Sequence, residues 1–217
     1  MVAENISQEL VLNREFANVA SNEQIERTAR ALESNNIHVL IAENSTEAKR
    51  MFFESIPEGA EVYLGASATL ETLGIKDEIE KSGRYDALRP KMFTMNRETQ
   101  MREIRKLASA PDYAAGSVQA VTEDGQVLLA STTGSQLGPY VSGAGKVIWV
   151  VGAQKLVKNI EEGLRRINEY GLPLEKERMR QLYNMSVGIS INKILIVNKE
   201  ARPNRTTMII VKEEVGY

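Results

Sequence analysis

Along the chain, stretches whose apolar residues recur every three or four positions alternate with short unbroken apolar runs. These are the signatures of amphipathic helices and of buried strands. Ser21 followed by Gln24 makes a capping box, after which Ile25, Thr28, Ala29 and Leu32 fall on one helical face. Ile37–Ala42 is short and rich in β-branched residues and reads as a buried strand. Asn44 or Ser45 caps a second helix that presents Ala48, Met51 and Phe52. The turn Ile56-Pro57-Glu58-Gly59 leads into a strand at 62–64 that enters Gly65. Helix, strand, helix, strand is the βαβ rhythm of a parallel sheet.

The middle is less regular. Residues 69–73 predict a short helix stopped by Gly74, and Asn96 caps a helix carrying Met101, Ile104, Leu107 and Ala108, with Glu98 and Arg102 paired four apart. Strands at 117–122 and Val127–Ser131 are joined by Glu123-Asp124-Gly125-Gln126, whose Asp-Gly step is a hairpin signal. Residues 147–151 are the most apolar run and predict a central strand. A helix over 155–170 would bury Leu156, Ile160, Leu164 and Ile167. Its outer face would pair Glu161 with Arg165 and Glu162 with Arg166 in solvent. A further helix at 174–183 and two β-rich runs, Lys193–Val197 and 208–211, complete the chain. The expected fold is a three-layer α/β domain with a mixed, mostly parallel sheet. It spans 1–217 as one domain, with 1–20 as a peripheral N-terminal segment.

Composition narrows the chemistry. The 217 residues include no cysteine and one histidine, His38, which excludes disulfides, thiolate nucleophiles, cysteine-ligated iron–sulfur clusters and multi-histidine metal sites. Acidic residues do not gather into a metal cluster either, so no metal is expected. Lys+Arg 27 against Asp+Glu 29 gives a formal charge of -2, and nothing in that balance announces a nucleic acid or a membrane. Glu4 and Glu9 stand where a signal peptide needs a basic end, and the longest apolar run is far short of a bilayer span, so a cytoplasmic address is expected.

Three loops that follow strands are candidates for chemistry. In Gly65-Ala66-Ser67-Ala68-Thr69, small residues let backbone N–H groups approach an anion at a helix start, while Ser67 and Thr69 offer hydroxyls; helix capping uses the same groups. Ser131-Thr132-Thr133-Gly134-Ser135-Gln136 packs hydroxyls, a glycine and an amide behind a strand, where open α/β sheets place ligands. In Gly152-Ala153-Gln154-Lys155, Lys155 can serve as a point charge for a phosphate or carboxylate, or lie on the surface. Glu175 and Arg178, after Pro173, can form a structural pair or reach the ligand cleft. Other motifs fail: Gly143-Ala144-Gly145-Lys146 precedes its strand instead of following it, which excludes a phosphate loop and a dinucleotide fingerprint alike. His38, inside a strand, reads as a structural residue, and Met92, Met95 and Met101 read as core filler.

Taken in order, Gly116-Ser117-Val118-Gln119-Ala120, Thr122-Glu123-Asp124-Gly125, Thr133-Gly134-Ser135-Gln136, Pro139-Tyr140, Lys146-Val147-Ile148, Val151-Gly152-Ala153-Gln154-Lys155, Arg166, Leu172-Pro173-Leu174-Glu175 and Arg178 resemble the lactate-utilisation (LUD) domain family. The resemblance covers roughly residues 10–215 and is densest between Tyr113 and Arg178. It implies a fold of the NagB/RpiA/CoA-transferase group and a single-domain member taking part in the oxidation of L-lactate to pyruvate. Relatives that carry iron–sulfur modules have cysteines this chain lacks, so electron transfer would need iron–sulfur or flavin partner subunits. Gly65–Thr69 is similar to the phosphate loop of ribose-phosphate isomerases, but the acidic isomerase motif, the transferase glutamyl nucleophile and the cyclo-ligase glycine loop have no counterpart.

The expected function is binding of a small anionic metabolite or cofactor of unknown identity. The expected ligand groups are Gly65, Ala66, Ser67, Thr69, Thr132, Thr133, Gly134, Ser135, Gln136, Gln154 and Lys155. The alternatives are a stand-alone enzyme on a phosphorylated or CoA-linked substrate, with Glu175 as acid/base and Lys155 as charge clamp, or a non-catalytic subunit docking a redox partner.

Overall fold

Ten strands and eight α-helices occur in the computed structural model, which describes residues 11–183 and 188–217. The strands are β1 (Ile37–Ala42), β2 (Glu61–Leu64), β3 (Asp86–Ala87), β4 (Tyr113–Gly116), β5 (Ala120–Thr122), β6 (Val127–Ser131), β7 (Lys146–Gly152), β8 (Leu156–Val157), β9 (Lys193–Val197) and β10 (Thr206–Val211). The helices are α1 (Asn22–Ser34), α2 (Ser45–Glu54), α3 (Ala68–Thr72), α4 (Ile75–Lys81), α5 (Leu88–Thr94), α6 (Met101–Ser109), α7 (Ile160–Arg166) and α8 (Leu172–Tyr183).

Six strands form a parallel sheet in the order β1-β10-β7-β4-β2-β3. The apolar run in β7 is central, as its composition predicts, and alternation divides it between two cores. Val147, Trp149 and Val151 face one side with Tyr63, Ala114, Met208 and Ile210. Ile148 and Val150 face the other with Val62, Leu64, Ile209 and Val211, where Ala48 and Phe52 of α2, Leu70 of α3 and Ile75 and Ile79 of α4 cover them. The first side is closed by Ile25 and Leu32 of α1 and by Val121, Val127, Leu129 and Leu156 of a second sheet. This gives the three-layer α/β arrangement.

The antiparallel hairpin of β5 and β6 lies in that second sheet, ordered β8-β5-β6-β9, and turns at Gly125, whose φ of 77° is the left-handed conformation glycine supplies without strain. Ala120, Leu128 and Val157 on its outer face pack with Ile167, next to α7.

Several expected boundaries shift. The run at 117–122 is split: Tyr113–Gly116 is a strand of the main sheet, 117–119 crosses over, and only Ala120–Thr122 pairs in the second sheet. The helix expected over 155–170 starts later, at Ile160, with Asn159 Oδ1 accepting from Glu162 N at 3.0 Å; Ala153–Lys155 is a 3₁₀ turn and Leu156–Val157 a strand. Asn96 caps a turn before α6, leaving Glu98 outside the helix. Strand β1 is an edge strand, not a fully buried one. His38 is half-exposed there, 3.1 Å from Glu33, and the same carboxylate accepts from Val39 N at 2.6 Å, occupying an edge donor. Of the first twenty residues, 1–10 lie outside the described ones, while Phe16 is buried and Ala20 N donates to Ala153 O. The capping at Ser21 and Asn44 is as expected, to Gln24 N and Glu47 N.

Arg205, 4% exposed, ties the helical turn at Pro139–Gly143 to the start of β10: its guanidinium donates to the carbonyls of Pro139, Tyr140 and Ala144 and pairs with Glu200 at 2.8 Å. Removing it leaves Glu200 without its cationic partner and takes a donor from three buried carbonyls. Arg205→Ala is therefore expected to cost about 3 kcal/mol, read as a lower midpoint in urea unfolding with an unchanged slope.

Candidate functional site

In the main sheet Leu64 aligns with Ala115 and Gly116 with Trp149, so β7 overhangs its neighbour by the three residues Val150, Val151 and Gly152. The chain leaves β2 through Ala66 and Ser67, β4 through Ser117, and β7 through Lys155, all at the carboxyl edge of the parallel strands. These residues line one cavity of about 620 Å³ together with the loop after β6. It lies where α/β sheets bind ligands.

Among the charged groups lining the cavity Lys155 is the most buried, 1% exposed although the sequence left a surface position open to it. Its Nζ donates to Thr69 Oγ1 at 3.1 Å and to Ser117 Oγ at 3.0 Å. Burial, reinforced by the nearby Arg166 guanidinium, holds its pKa well below the ordinary lysine range. Arg166 was expected on a solvated face opposite Glu162; it is fully buried instead, donating to Gln119 O at 2.6 Å and Gln154 O at 3.3 Å, and burial lowers its pKa to about 10. Arg165 pairs with Glu169, not with Glu161. The α7 face reading failed because the two carbonyls that draw Arg166 inward come from crossovers far away in sequence.

Ser67 caps α3, its Oγ accepting from Leu70 N at 3.3 Å, and still lines the cavity with Ala66 and Thr69. Across from it, Thr132, Thr133, Gly134, Ser135 and Gln136 are brought to the same cavity. Ser131 Oγ accepts from Gly134 N at 2.8 Å and donates to Gln136 Oε1 at 3.0 Å, a local network that shapes the loop. Glu175 also lines the cavity, but its carboxylate is engaged: Arg178 donates to it at 3.0 and 3.1 Å and Tyr217 through its hydroxyl. Arg178 reaches Glu71 as well at 3.0 Å. Burial works against its charge, yet the two carboxylates raise its pKa. Burial and Glu175 raise that of Tyr217.

Gly65 and Gln154, expected among the ligand groups, do not line the cavity. A Cβ on Gly65 would stand 2.6 Å from Tyr140 Oη, so glycine is there for close packing. Gln154 is buried and holds the C-terminal tail through Val215 O and Gly216 O at 3.1 Å each. Sequence reasoning missed Tyr63, Gln119 and three arginines of the cavity, Arg89, Arg97 and Arg105. None of the three has a carboxylate within 4.0 Å among the described residues. A basic residue every turn on α5 and α6 was the available signal, but it does not tell which face meets a cavity. Among the described residues there is no cluster of three or more His, Asp or Glu suited to a metal ion, and no helix long and apolar enough to cross a membrane.

Comparison with known proteins bears on the family and the fold. The model of the LUD domain family matches residues 25–216. The chain belongs to the LUD domain family. Among solved structures it is similar to a DUF162 family protein from Deinococcus radiodurans, with a TM-score of 0.53 at 10% identity, covering 89% of this chain and 99% of that one. That likeness concerns the fold alone. No curated protein matches the chain. At the level of the family, membership suggests a function related to lactate utilisation.

The displaced pKa of Lys155 has a stability consequence. As pH falls from the ordinary value near 10.5, the unfolded chain takes up the proton before the folded one does, so folding stability rises with pH between the depressed folded value and 10.5. Lys155→Met removes the desolvated amine while leaving Thr69 its own acceptor at Val215 O. The variant is expected to be more stable at neutral pH, by on the order of 1 kcal/mol, and to lose that part of the pH slope in thermal unfolding scans.

Proposed function

We propose that the cavity binds a small anionic metabolite, a carboxylate or phosphate compound, and that the chain acts in lactate utilisation in the cytoplasm. One observation carries this reading. Of the charged side chains around the cavity, Arg89, Arg97, Arg105 and Lys155 are basic, and the single acid, Glu175, is already neutralised by Arg178. A concave site with that surplus has positive potential, concentrated by its low-dielectric walls. The hydroxyl-bearing loops at Ser67–Thr69 and Thr132–Gln136 supply orientation to the anion that the arginines attract. Oxidation of L-lactate to pyruvate releases two electrons, and a chain without cysteine cannot carry a cysteine-bound cluster to receive them. In this reading the acceptor, an iron–sulfur or flavin group, belongs to partner subunits.

Calorimetric titration and thermal shift with L-lactate, pyruvate and inorganic phosphate test it. At least one of these is expected to raise the melting temperature, with affinity falling as ionic strength rises. Losing one charge-assisted hydrogen bond costs about 1.5–3 kcal/mol, so Arg97→Ala combined with Arg105→Ala should weaken binding by about tenfold or more. Unchanged affinity in the double variant, or no response to any carboxylate or phosphate, would exclude the reading.

A further inference from the structure

The hydrogen bonds at Lys155 specify more than a charge. Thr69 Oγ1 donates its own proton to Val215 O at 3.3 Å, so toward Lys155 it is an acceptor. Ser117 Oγ donates to Val118 O at 3.5 Å and likewise accepts from Nζ. Two acceptors therefore meet the amine, and no third partner and no carboxylate reach it among the described residues. An ammonium group brings three N–H donors and would leave one of them without a protein acceptor. A neutral amine brings two, matches both hydroxyls, and keeps its lone pair unengaged. Lys155 lines the same cavity as Arg89, Arg97 and Arg105, basic groups that suit a carboxylate.

We propose that Lys155 is a nucleophile that forms an imine with the carbonyl carbon of a 2-oxo carboxylate held in the cavity. The inference rests on the anion-binding reading above and adds the substrate class to it. The Nζ lone pair forms the C–N bond as the carbonyl π pair moves to oxygen. The nitrogen gives up a proton and the oxygen takes one, giving a carbinolamine. The hydroxyl takes a second proton, the nitrogen lone pair expels it as water as the C–O bond breaks, and the protonated C=N group gives up its remaining N–H proton to leave the imine. No oxidant or reductant is consumed. A lysine kept neutral by burial and a neighbouring cation is the kind of amine that attacks carbonyls, and the depressed pKa of Lys155, with Arg166 beside it, agrees with that state. The hydroxyls of Thr69 and Ser117, on the amine itself, are placed to relay the protons.

Borohydride trapping tests this on the full chain. Pyruvate plus borohydride should leave a reduced covalent adduct, seen as a mass increase of the intact protein and mapped to Lys155 by peptide mass spectrometry. L-Lactate, which has no carbonyl, and pyruvate without borohydride should leave none. Lys155→Met should lose the adduct; its fold is checked by circular dichroism, and peptide mapping of the unaltered chain makes the result independent of that variant. Thermal shift with pyruvate, run in parallel, separates the two ideas. A raised melting temperature with no adduct at Lys155 overturns the imine and leaves anion binding standing. Neither effect overturns both. Adducts only at surface lysines, or equal labelling by a neutral ketone, overturn the assignment of Lys155 to a 2-oxo carboxylate.

Discussion

The carboxyl edge of the sheet is organised around one buried amine. Lys155 comes from the turn after β7, and its two hydrogen bonds go to Thr69 at the start of α3, after β2, and to Ser117, directly after β4. Three neighbouring strands of the main sheet are thereby joined at their exits through a single nitrogen. Such a group costs stability when it is charged, because no carboxylate accompanies it into the interior. What offsets the cost is the pair of hydroxyls, each of which keeps a second hydrogen bond to a backbone carbonyl. Two acceptors match the two donors of a neutral amine, and burial favours that form over the ammonium.

The C-terminal tail completes the same edge. Gln154, one residue before the amine, accepts from Val215 N at 3.4 Å and donates to the next two carbonyls, fixing the tail against the end of β7. Gly216, at φ 63°, passes so close to Thr69 that a Cβ there would lie 2.8 Å from the Thr69 amide nitrogen. Tyr217 then bonds Glu175 and Arg178 at the cavity wall. The end of the chain is thus part of the enclosure, and the network it closes neutralises the one acid that would otherwise oppose an anion.

How much of this the sequence discloses depends on whether a feature is local. The apolar runs of β1, β6, β7, β9 and β10, the cap at Ser21 and the cap at Asn44, one of two residues the sequence offered there, need only nearby residues and were legible. Strand β4 was not: Tyr-Ala-Ala-Gly lacks the β-branched composition of a strand, and small residues are there because Tyr140 packs against Gly116 and donates to Ala115 O at 3.2 Å. The helical period across 155–170 was genuine only from Ile160. Before it, Leu156 and Val157 are apolar because they pair with β5. In the cavity, hydroxyl-rich loops after strands could be recognised from their place in the βα rhythm. Arg89 on α5, Arg105 on α6 and Arg97 in the turn between them could not, since the placement of this segment over the cavity is set by tertiary packing.

Charge and nucleophilicity make opposite demands on a lysine, and the distribution of basic groups resolves the conflict. A point-charge clamp has to be protonated; an amine that attacks carbonyls has to be neutral. Had the cavity held Lys155 alone, the positive potential for an anion would vanish in the very state that is nucleophilic. The arginines remove that coupling, because guanidinium groups keep their charge throughout the physiological range. Arg97 and Arg105 are exposed, where a guanidinium stays hydrated, whereas Lys155 is buried and its burial favours the neutral form. In the proposed reaction, recruitment of the anion and attack on it thus fall to different side chains lining the same cavity.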